Sequence, residues 1–170
     1  IIAKGFDKNA LKILRLKKNV RLIDSSNLIF KELFKFNSID NFTLVQSEDN
    51  KSFSRKNFEI VSKKRPNKSQ FENLIFAFNM CRYVKSNAIV IASNKSTVGI
   101  GSGQPSRLDS CEVAISKMNK FTNPKNEIVA ASDAFFPFTD GIEKLVQSGI
   151  NAVIQPAGSI RDKEIIKFVN

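Results

Sequence analysis

The segment Ser132–Gly141 constrains this chain most, because its ten residues carry three aromatic rings, one proline and two carboxylates. The apolar run at 128–131 predicts a short buried strand, and the pattern from Asp140 to Ser148 predicts a helix. In open α/β sheets, such a strand-to-helix crossing lies at the carboxyl end of a strand, where ligands bind. The segment therefore predicts an α/β sheet with a binding site at this crossing.

The same segment is suited to a planar heteroaromatic ligand. Pro137 fixes the backbone between two phenylalanines, and the Asp140 carboxylate can accept paired hydrogen bonds from an amino-pyrimidine edge. The alternative is the end of a core strand with aromatic packing, because phenylalanine is frequently buried. The residues alone leave both interpretations open.

A second pattern, Thr97–Ser110, predicts a hairpin strand that leads through a glycine-rich loop into a helix. Gly99, Gly101 and Gly103 would let backbone amides approach a ligand, and a helix N-terminus favours an anion. The spacing is not the dinucleotide fingerprint, because Gln104 stands where that pattern needs glycine. Tight-turn geometry is the alternative explanation for these glycines.

Four motifs, in the same order along the chain, resemble the transformylase domain of the bifunctional AICAR transformylase/IMP cyclohydrolase family. The resemblance covers nearly the whole chain and is weakest at 24–57. It implies that residues 1–170 are the second half of that domain, a fragment cut at both ends. The motifs are KSNAIV (85–90), TVGIGSGQPSRLDS (97–110), ASDAFFPFTDGI (131–142) and QPAGSIRD (155–162).

The resemblance implies an activity, a fold and an assembly. The activity is folate-dependent formyl transfer to AICAR in purine (IMP) biosynthesis, with 10-formyltetrahydrofolate as cosubstrate. The parent protein would also be an IMP cyclohydrolase and a homodimer. The fold would be a three-layer α/β/α domain similar to cytidine deaminase, with a mixed sheet.

The resemblance also implies site residues. Lys18 and Arg107 match basic groups near the ribonucleotide, and Phe135 matches an aromatic packed on its imidazole ring. Asn87 matches an asparagine beside the transferring formyl group, although an asparagine before a strand commonly bonds to a neighbouring turn. The positions that match folate contacts are Leu108, Pro137, Phe138, Asp140 and Ser159.

Asp140 has a second interpretation, since aspartate frequently caps the helix that follows it.

The chain departs from the family in its catalytic residues. The family's catalytic Lys-His pair lies upstream of the matching region, and this chain has no histidine. We therefore expect the fragment alone to be inactive. A nucleotide- or folate-binding module without catalysis is the alternative function.

The net charge of +11 is unevenly distributed. Residues 1–85 carry 18 Lys/Arg against 8 Asp/Glu, whereas residues 86–170 carry 9 against 8. Such asymmetry fits a nucleic-acid-binding face or a lysine-rich surface that attracts small anionic substrates. The chain has no basic run of the length expected for a nucleic-acid patch, which favours the second interpretation. Nucleic-acid binding is the least favoured function.

Two cysteines, Cys81 and Cys111, do not form the framework of a secreted disulfide protein. Cys81 follows an apolar helical pattern, which predicts a core position. The sequence has no hydrophobic stretch of spanning length and no signal peptide, so we expect a cytoplasmic protein without membrane partners. The zinc motifs H-x-E and P-C-x-x-C of true deaminases are absent, so we expect no metal.

The apolar periodicity predicts alternating helices and strands, with a flexible loop at 47–57. Helices are predicted near 7–18, 68–84, 106–119, 140–148 and 161–169. Strands are predicted near 19–23, 29–35, 42–46, 58–62, 88–92, 97–101, 128–132 and 151–154.

Overall fold

The computed structural model describes residues 1–28, 34–121 and 127–170. The chain divides into two compact units, residues 1–50 and 51–170. The described residues form five α-helices and a mixed sheet of four strands, with two further pairs of short strands. The predicted α/β class with a mixed sheet is therefore confirmed. None of the described helices is long and apolar enough to cross a membrane.

The first unit begins with a strand, a helix and a parallel strand. Strand β1 (Ile2–Ala3) pairs in parallel with β2 (Ile23–Asp24), and α1 (Lys8–Arg15) lies between them in sequence. Helix α1 begins where it does because the Asp7 carboxylate accepts hydrogen bonds from two amides of the first turn. The strand predicted at 19–23 is thus wrong over most of its length, because only its last residue joins a strand.

A β-hairpin completes the first unit. Strands β3 (Phe34–Ile39) and β4 (Phe42–Ser47) pair antiparallel around a two-residue turn. Asp40 has a positive φ of 49° there, a conformation that aspartate tolerates better than most residues. Of the strand predicted at 29–35, only the last two residues coincide with β3, and 29–33 lie outside the described residues. The strand predicted at 42–46 is confirmed.

The second unit is built on a four-stranded sheet. Its spatial order is β6-β5-β7-β8, in which β5 runs antiparallel to both of its neighbours while β7 and β8 are parallel. All four strands were predicted, with ends within one residue of those observed. They are β5 (Ile89–Ser93), β6 (Ser96–Gly101), β7 (Val129–Ser132) and β8 (Ala152–Ile154).

Four helices belong to this second unit, and all four were predicted. Asn67 begins the first of them with a capping box, because its side chain and that of Gln70 each accept the other residue's backbone N–H. A short 3-10 helix, Arg55–Asn57, lies within the loop predicted at 47–57. The helices are α2 (Lys68–Cys81), α3 (Arg107–Phe121), α4 (Asp140–Gln147) and α5 (Asp162–Phe168).

Helices cover both faces of this sheet. Successive side chains of a strand point to opposite faces, and β5 is fully buried on both. Val90 and Ala92 pack with the α2 side, whereas Ile89 and Ile91 pack with side chains of α3, α4 and α5. This double burial explains why β5 reads as a continuous apolar run.

Two glycines of β6 serve helix packing. A Cβ on Gly99 would lie 2.2 Å from the Ala114 carbonyl oxygen, and one on Gly101 would lie 1.9 Å from that of Ser110. Only glycine permits α3 to approach the strand this closely. Gly103 differs, because its φ of +66° forms a turn. The interpretation of Gly99 and Gly101 as a ligand loop is therefore replaced by backbone packing.

The strand predicted at 58–62 is wrong, because these residues, all within the described part of the chain, form no strand. The Phe58 ring packs instead on the rings of Phe53 and Phe78, at centroid distances of 5.9 and 5.3 Å. Residues 58, 60 and 62 are partly buried while 59 and 61 are exposed. Alternating burial without a partner strand explains why the sequence pattern resembles a strand.

Candidate functional site

The sheet topology brings most of the predicted site residues to one edge of the second unit. Because β5 is antiparallel to its neighbours, its beginning lies beside the ends of β6 and β7, and the end of β8 follows. The segments that enter or leave the sheet at this edge carry eight of the nine predicted residues. These are Asn87, Arg107, Leu108, Phe135, Pro137, Phe138, Asp140 and Ser159.

Asp133 lies at the centre of this edge, directly after β7. Its carboxylate accepts hydrogen bonds from the Ser86 hydroxyl and from the Ala88 amide, the latter at 3.0 Å. The Arg107 Nη1 approaches the same carboxylate at 2.7 Å, which makes a charge-assisted pair. Asp133 thereby joins the segment before β5, the start of α3 and the end of β7.

The surroundings of Asp133 act on its pKa in opposite directions. Burial raises the pKa of this carboxyl, but the hydrogen bonds from Ser86, Ala88 and Arg107 together outweigh it. The pKa of Asp133 is therefore held below its ordinary value, and the group is charged at neutral pH. The Asp133 and Arg107 side chains are only 19% and 9% exposed.

Asn87 uses its side chain to hold the loop before α3. Its Nδ2 donates to the carbonyl oxygens of Gln104, at 2.9 Å, and Pro105, at 3.2 Å. The Asn87 carbonyl in turn accepts a hydrogen bond of 2.8 Å from the Ser110 hydroxyl. This geometry matches the alternative drawn from the sequence, a side-chain bond to a turn. The role of Asn87 beside a formyl group stays a prediction.

Arg107 is bound on two of its three nitrogens. Besides the pair with Asp133, its Nε donates to the Phe135 carbonyl oxygen at 3.1 Å. Among the described residues, none accepts a hydrogen bond from its Nη2. The guanidinium is therefore fixed in place, with Nη2 as the nitrogen left for a further acceptor. The predicted contact of Arg107 with a ribonucleotide stays a prediction.

The three phenylalanines of the segment after β7 have different positions. Phe136 is 1% exposed and belongs to the core beneath α4, as the packing interpretation proposed. Phe135 and Phe138 are 40% and 50% exposed. Two rings are therefore accessible at this edge, as a ligand wall requires, while the third anchors the segment.

A second loop, which follows β8, supports this aromatic segment. The Gln155 side chain accepts a hydrogen bond of 2.9 Å from the Phe136 amide. The Arg161 guanidinium lies 4.6 Å from the centre of the Phe138 ring, a cation–π contact. The Ser159 hydroxyl accepts a hydrogen bond of 3.1 Å from the Arg161 amide, so Ser159 lies in the same loop as the residue that contacts the ring. The two loops form one surface.

Asp140 is the first residue of α4, and its carboxylate is exposed. Its Oδ1 accepts from the Gly141 amide at 2.7 Å, while Thr139 stands at the N-cap without a side-chain cap bond. An acidic group in the first turn is favourable for the helix, and its remaining lone pairs are free to accept. Leu108 is half-buried at the start of α3, and Pro137 is exposed.

Lys18 belongs to the first unit. It lies exposed in a turn just after α1. The other predicted residues lie in the second unit. The proposed partnership between Lys18 and Arg107 therefore stays a prediction.

Three residues of this surface were not predicted from the sequence: Asp133, Ser86 and Arg161. Asp133 stands immediately after a buried strand and within the segment singled out first, which was a usable signal. Its two side-chain partners are 47 and 26 residues away in sequence, at Ser86 and Arg107. Only the pairing of β5 with β7 shows which groups meet there.

Comparison with known proteins gives one consistent result. The sequence profile described as the AICARFT/IMPCHase bienzyme matches residues 1–117. Proteins named bifunctional purine biosynthesis protein PurH are similar over essentially the whole chain. The one from Buchnera aphidicola is 44% identical over 173 residues, which cover 100% of this chain and 33% of that protein.

Two further PurH proteins match over a similar length. The protein of Aquifex aeolicus is 42% identical and covers 100% of this chain, and that of Chlorobium phaeobacteroides is 40% identical over 98% of it. The matched regions are 33% and 32% of those two proteins. This chain therefore spans about a third of the length of the curated relatives that it matches.

Proposed function

Because this chain belongs to the AICARFT/IMPCHase bienzyme family, we propose that it acts in purine biosynthesis as part of a folate-dependent formyltransferase. The reaction would move the formyl group of 10-formyltetrahydrofolate to the amine of AICAR. The names of its relatives, which call them bifunctional, support a parent protein with a second activity. We take that activity to be IMP cyclohydrolase.

We propose that residues 1–170 work within a longer polypeptide, as the second half of the transformylase domain. The share of the relatives that this chain matches supports this. The chain has no histidine, so the proton-transfer pair of the family would have to come from elsewhere in the polypeptide. On this proposal, the chain contributes binding residues rather than the acid-base groups.

The observation that carries the proposal is the gathering of predicted site residues at one edge of the sheet. Bound substrates would meet the accessible rings of Phe135 and Phe138, the Asp140 carboxylate and the fixed guanidinium of Arg107. A flat ring system with a hydrogen-bonding edge, and a second ligand with an anionic group, fit this set of groups.

We divide the surface between the two substrates. Phe135 and Arg107 would contact the ribonucleotide, together with Lys18 of the first unit. Arg107 keeps Nη2 for this contact, and its position is held by Asp133. The folate would contact Leu108, Pro137, Phe138, Asp140 and Ser159.

Chemistry explains why positioning dominates in this reaction. The AICAR amine is conjugated to its ring and hydrogen-bonded to its own carboxamide, so it is a poor nucleophile. Catalysis must therefore orient the amine and manage its protons. We propose that Asn87 lies near the formyl group, held by the carbonyls of the loop before α3.

Helices on both faces of the sheet are compatible with a three-layer fold similar to cytidine deaminase. We propose this likeness without the zinc chemistry of deaminases. Cytoplasmic location and a homodimer of the full-length protein are part of the same proposal.

One experiment tests the function. The chain 1–170 and the full-length polypeptide that contains it are each assayed with AICAR and 10-formyltetrahydrofolate. We expect turnover only for the full-length protein, because general acid-base catalysis typically contributes about 10² to 10⁴-fold. Absence of turnover in the full-length protein, while it still binds both substrates, would favour the non-catalytic binding module. Salt-sensitive binding to duplex DNA instead of substrates would favour a nucleic-acid role.

A further inference from the structure

Asp133 links its own segment after β7 to the segment before β5 and to the start of α3, and no role has yet been assigned to it. Its carboxylate accepts hydrogen bonds from the Ser86 hydroxyl, the Ala88 amide and the Arg107 guanidinium. Its own amide donates to the Ala88 carbonyl oxygen at 3.2 Å. Asp133 and Ala88 are therefore held to each other by two hydrogen bonds of opposite direction.

These contacts involve two of the proposed active-site residues, one directly and one through its neighbours in the chain. Asn87 lies between Ser86 and Ala88, so both of its neighbours in the chain are tied to the Asp133 carboxylate. Arg107 is tied to the same carboxylate from the start of α3. Asn87 also bonds directly to the loop before α3 and to Ser110, and the Asp133 carboxylate adds a charged link between the Asn87 segment and Arg107 itself.

We propose that Asp133 is a positioning residue for formyl transfer, one that holds Asn87 and Arg107 in register with each other. This inference rests on the proposed function. Asp133 would not touch the reacting atoms. It would act through Asn87, on the formyl side, and through Arg107, on the ribonucleotide side.

The negative charge of Asp133 is essential to this role. An amide in its place keeps the shape but offers one oxygen instead of two, and it presents an NH₂ group toward donors. Arg107 would then lose its counter-charge in a site where both side chains are mostly buried. A small shift of the two segments would follow, and displacement by about 1 Å can lower a rate about 100-fold.

The test compares four full-length proteins: wild type, Asp133→Asn, Asn87→Ala and the double variant. We expect Asp133→Asn to lower kcat by about 10- to 100-fold and to raise the KM for AICAR, while the KM for folate stays within about twofold. In the double variant, the Asp133 substitution should change kcat by less than about threefold, because the Asn87 side chain, through which Asp133 acts on the formyl side, is already absent. Full additivity of the two losses in kcat would overturn the proposal.

A matched control is Glu72→Gln. Glu72 forms an ion pair of similar length, 2.9 Å, with Lys95 at the opposite end of β5, in a more exposed position. Its loss should leave kcat and both KM values unchanged. Loss of the Asp133 charge should lower the melting temperature in either case, so the substrates decide: a purely structural Asp133 would impair both equally, which would also overturn the proposal.

Ser86→Ala provides a milder variant, which removes one donor and no charge. We expect kcat to fall by about three- to tenfold with the melting temperature unchanged, and an unchanged kcat would count against the proposal even if Asp133→Asn failed to fold. Failure of the proposed function is separable from this result, because wild type itself would then lack formyl transfer. Active wild type with unaffected Ser86→Ala and Asp133→Asn variants would refute the positioning role alone.

Discussion

Gly101 lies so close to Ser110 that a Cβ on the glycine would stand 1.9 Å from the serine carbonyl oxygen. The Ser110 hydroxyl in turn donates to the Asn87 carbonyl oxygen. The missing side chain of Gly101 therefore lets α3 approach β6 and lets Ser110 reach the segment that carries Asn87. This contact joins the packing of the sheet to the geometry of the proposed site.

Gly101→Ala should therefore destabilise the chain. The added methyl group must displace the α3 backbone, and overpacking of this kind costs about 3 kcal/mol of unfolding free energy. Urea unfolding of the chain measures the change. Ser96→Ala, at an exposed position of the same strand, is the control and should change the free energy by less than about 1 kcal/mol. Equal stability of both variants would contradict the close approach.

Asp140→Asn should weaken folate binding by the full-length protein about 10 to 100-fold, because hydrogen bonds to a charged group contribute roughly 1.5 to 3 kcal/mol each. AICAR binding should barely change. Titration of both ligands measures the two affinities. Thr139, not Asp140, is the N-cap of α4; if the Asp140 charge serves only the first turn of this helix, Asp140→Asn would lower thermal stability slightly and leave folate affinity unchanged.

Lys18→Ala and Arg107→Ala should both weaken AICAR more than folate, by about tenfold, if each contacts the anionic ribonucleotide. The two variants should differ in stability. Lys18 is exposed, whereas removal of Arg107 leaves the Asp133 carboxylate without its counter-charge. Calorimetry should therefore show a lower melting temperature for Arg107→Ala alone. Equal loss of both ligands would indicate a disturbed fold instead of a lost contact.

Stability should fall in acid, in part through Asp133. Its pKa in the folded chain lies below the ordinary value of 3.8, so its contribution is present above that value and is lost as the pH falls through the folded pKa. Melting temperatures measured from neutral pH downward should decline more steeply for wild type than for Asp133→Asn. Parallel curves would show that the carboxylate is not held in its charged form.

The two thiols should be inert in the folded chain. Burial raises the pKa of Cys81 and of Cys111 to about 12, from an ordinary value of 9.0. At neutral pH, the thiolate fraction of each cysteine is therefore about 1000-fold lower than that of a thiol with the ordinary pKa. A thiol reagent such as Ellman's should therefore react only after denaturant is added. Rapid reaction of either cysteine in the native chain would contradict its buried position.

The sequence predicted all five helices and the four strands of the main sheet, because each has a local signal. Helix α2 begins with the capping pair Asn67 and Gln70, and β5 is an uninterrupted apolar run. The hairpin strand β3 was mostly missed: Phe34 and Phe36 alternate with Lys35 and Asn37, but both faces of the strand are exposed in its unit, so no buried face marks its limits. The equally exposed β4 was predicted, so a local pattern can show that such a strand exists while it fixes the limits of the strand poorly.

The site was predictable only in outline. Three phenylalanines stand within four positions, and nothing in their local sequence tells which one enters the core. The Phe136 backbone is held by a hydrogen bond from its amide to the Gln155 side chain, which belongs to a loop 19 residues further along the chain. The pairing of Arg107 with Asp133 was not predictable either, because it depends on contacts between segments that are far apart in the sequence.

The register of β5 against β7 has a consequence for evolution. Ile89 pairs with Ser132 at the end of the ladder, so Ala88 and Asp133 face each other one step beyond it. Insertions in the connections between elements would leave this alignment intact, since the ladder alone sets it. Deletion of one residue inside β7 would turn Asp133 to the opposite face of the sheet. The contact between Ala88 and Asp133 therefore tolerates changes in loop length and constrains the length of β7.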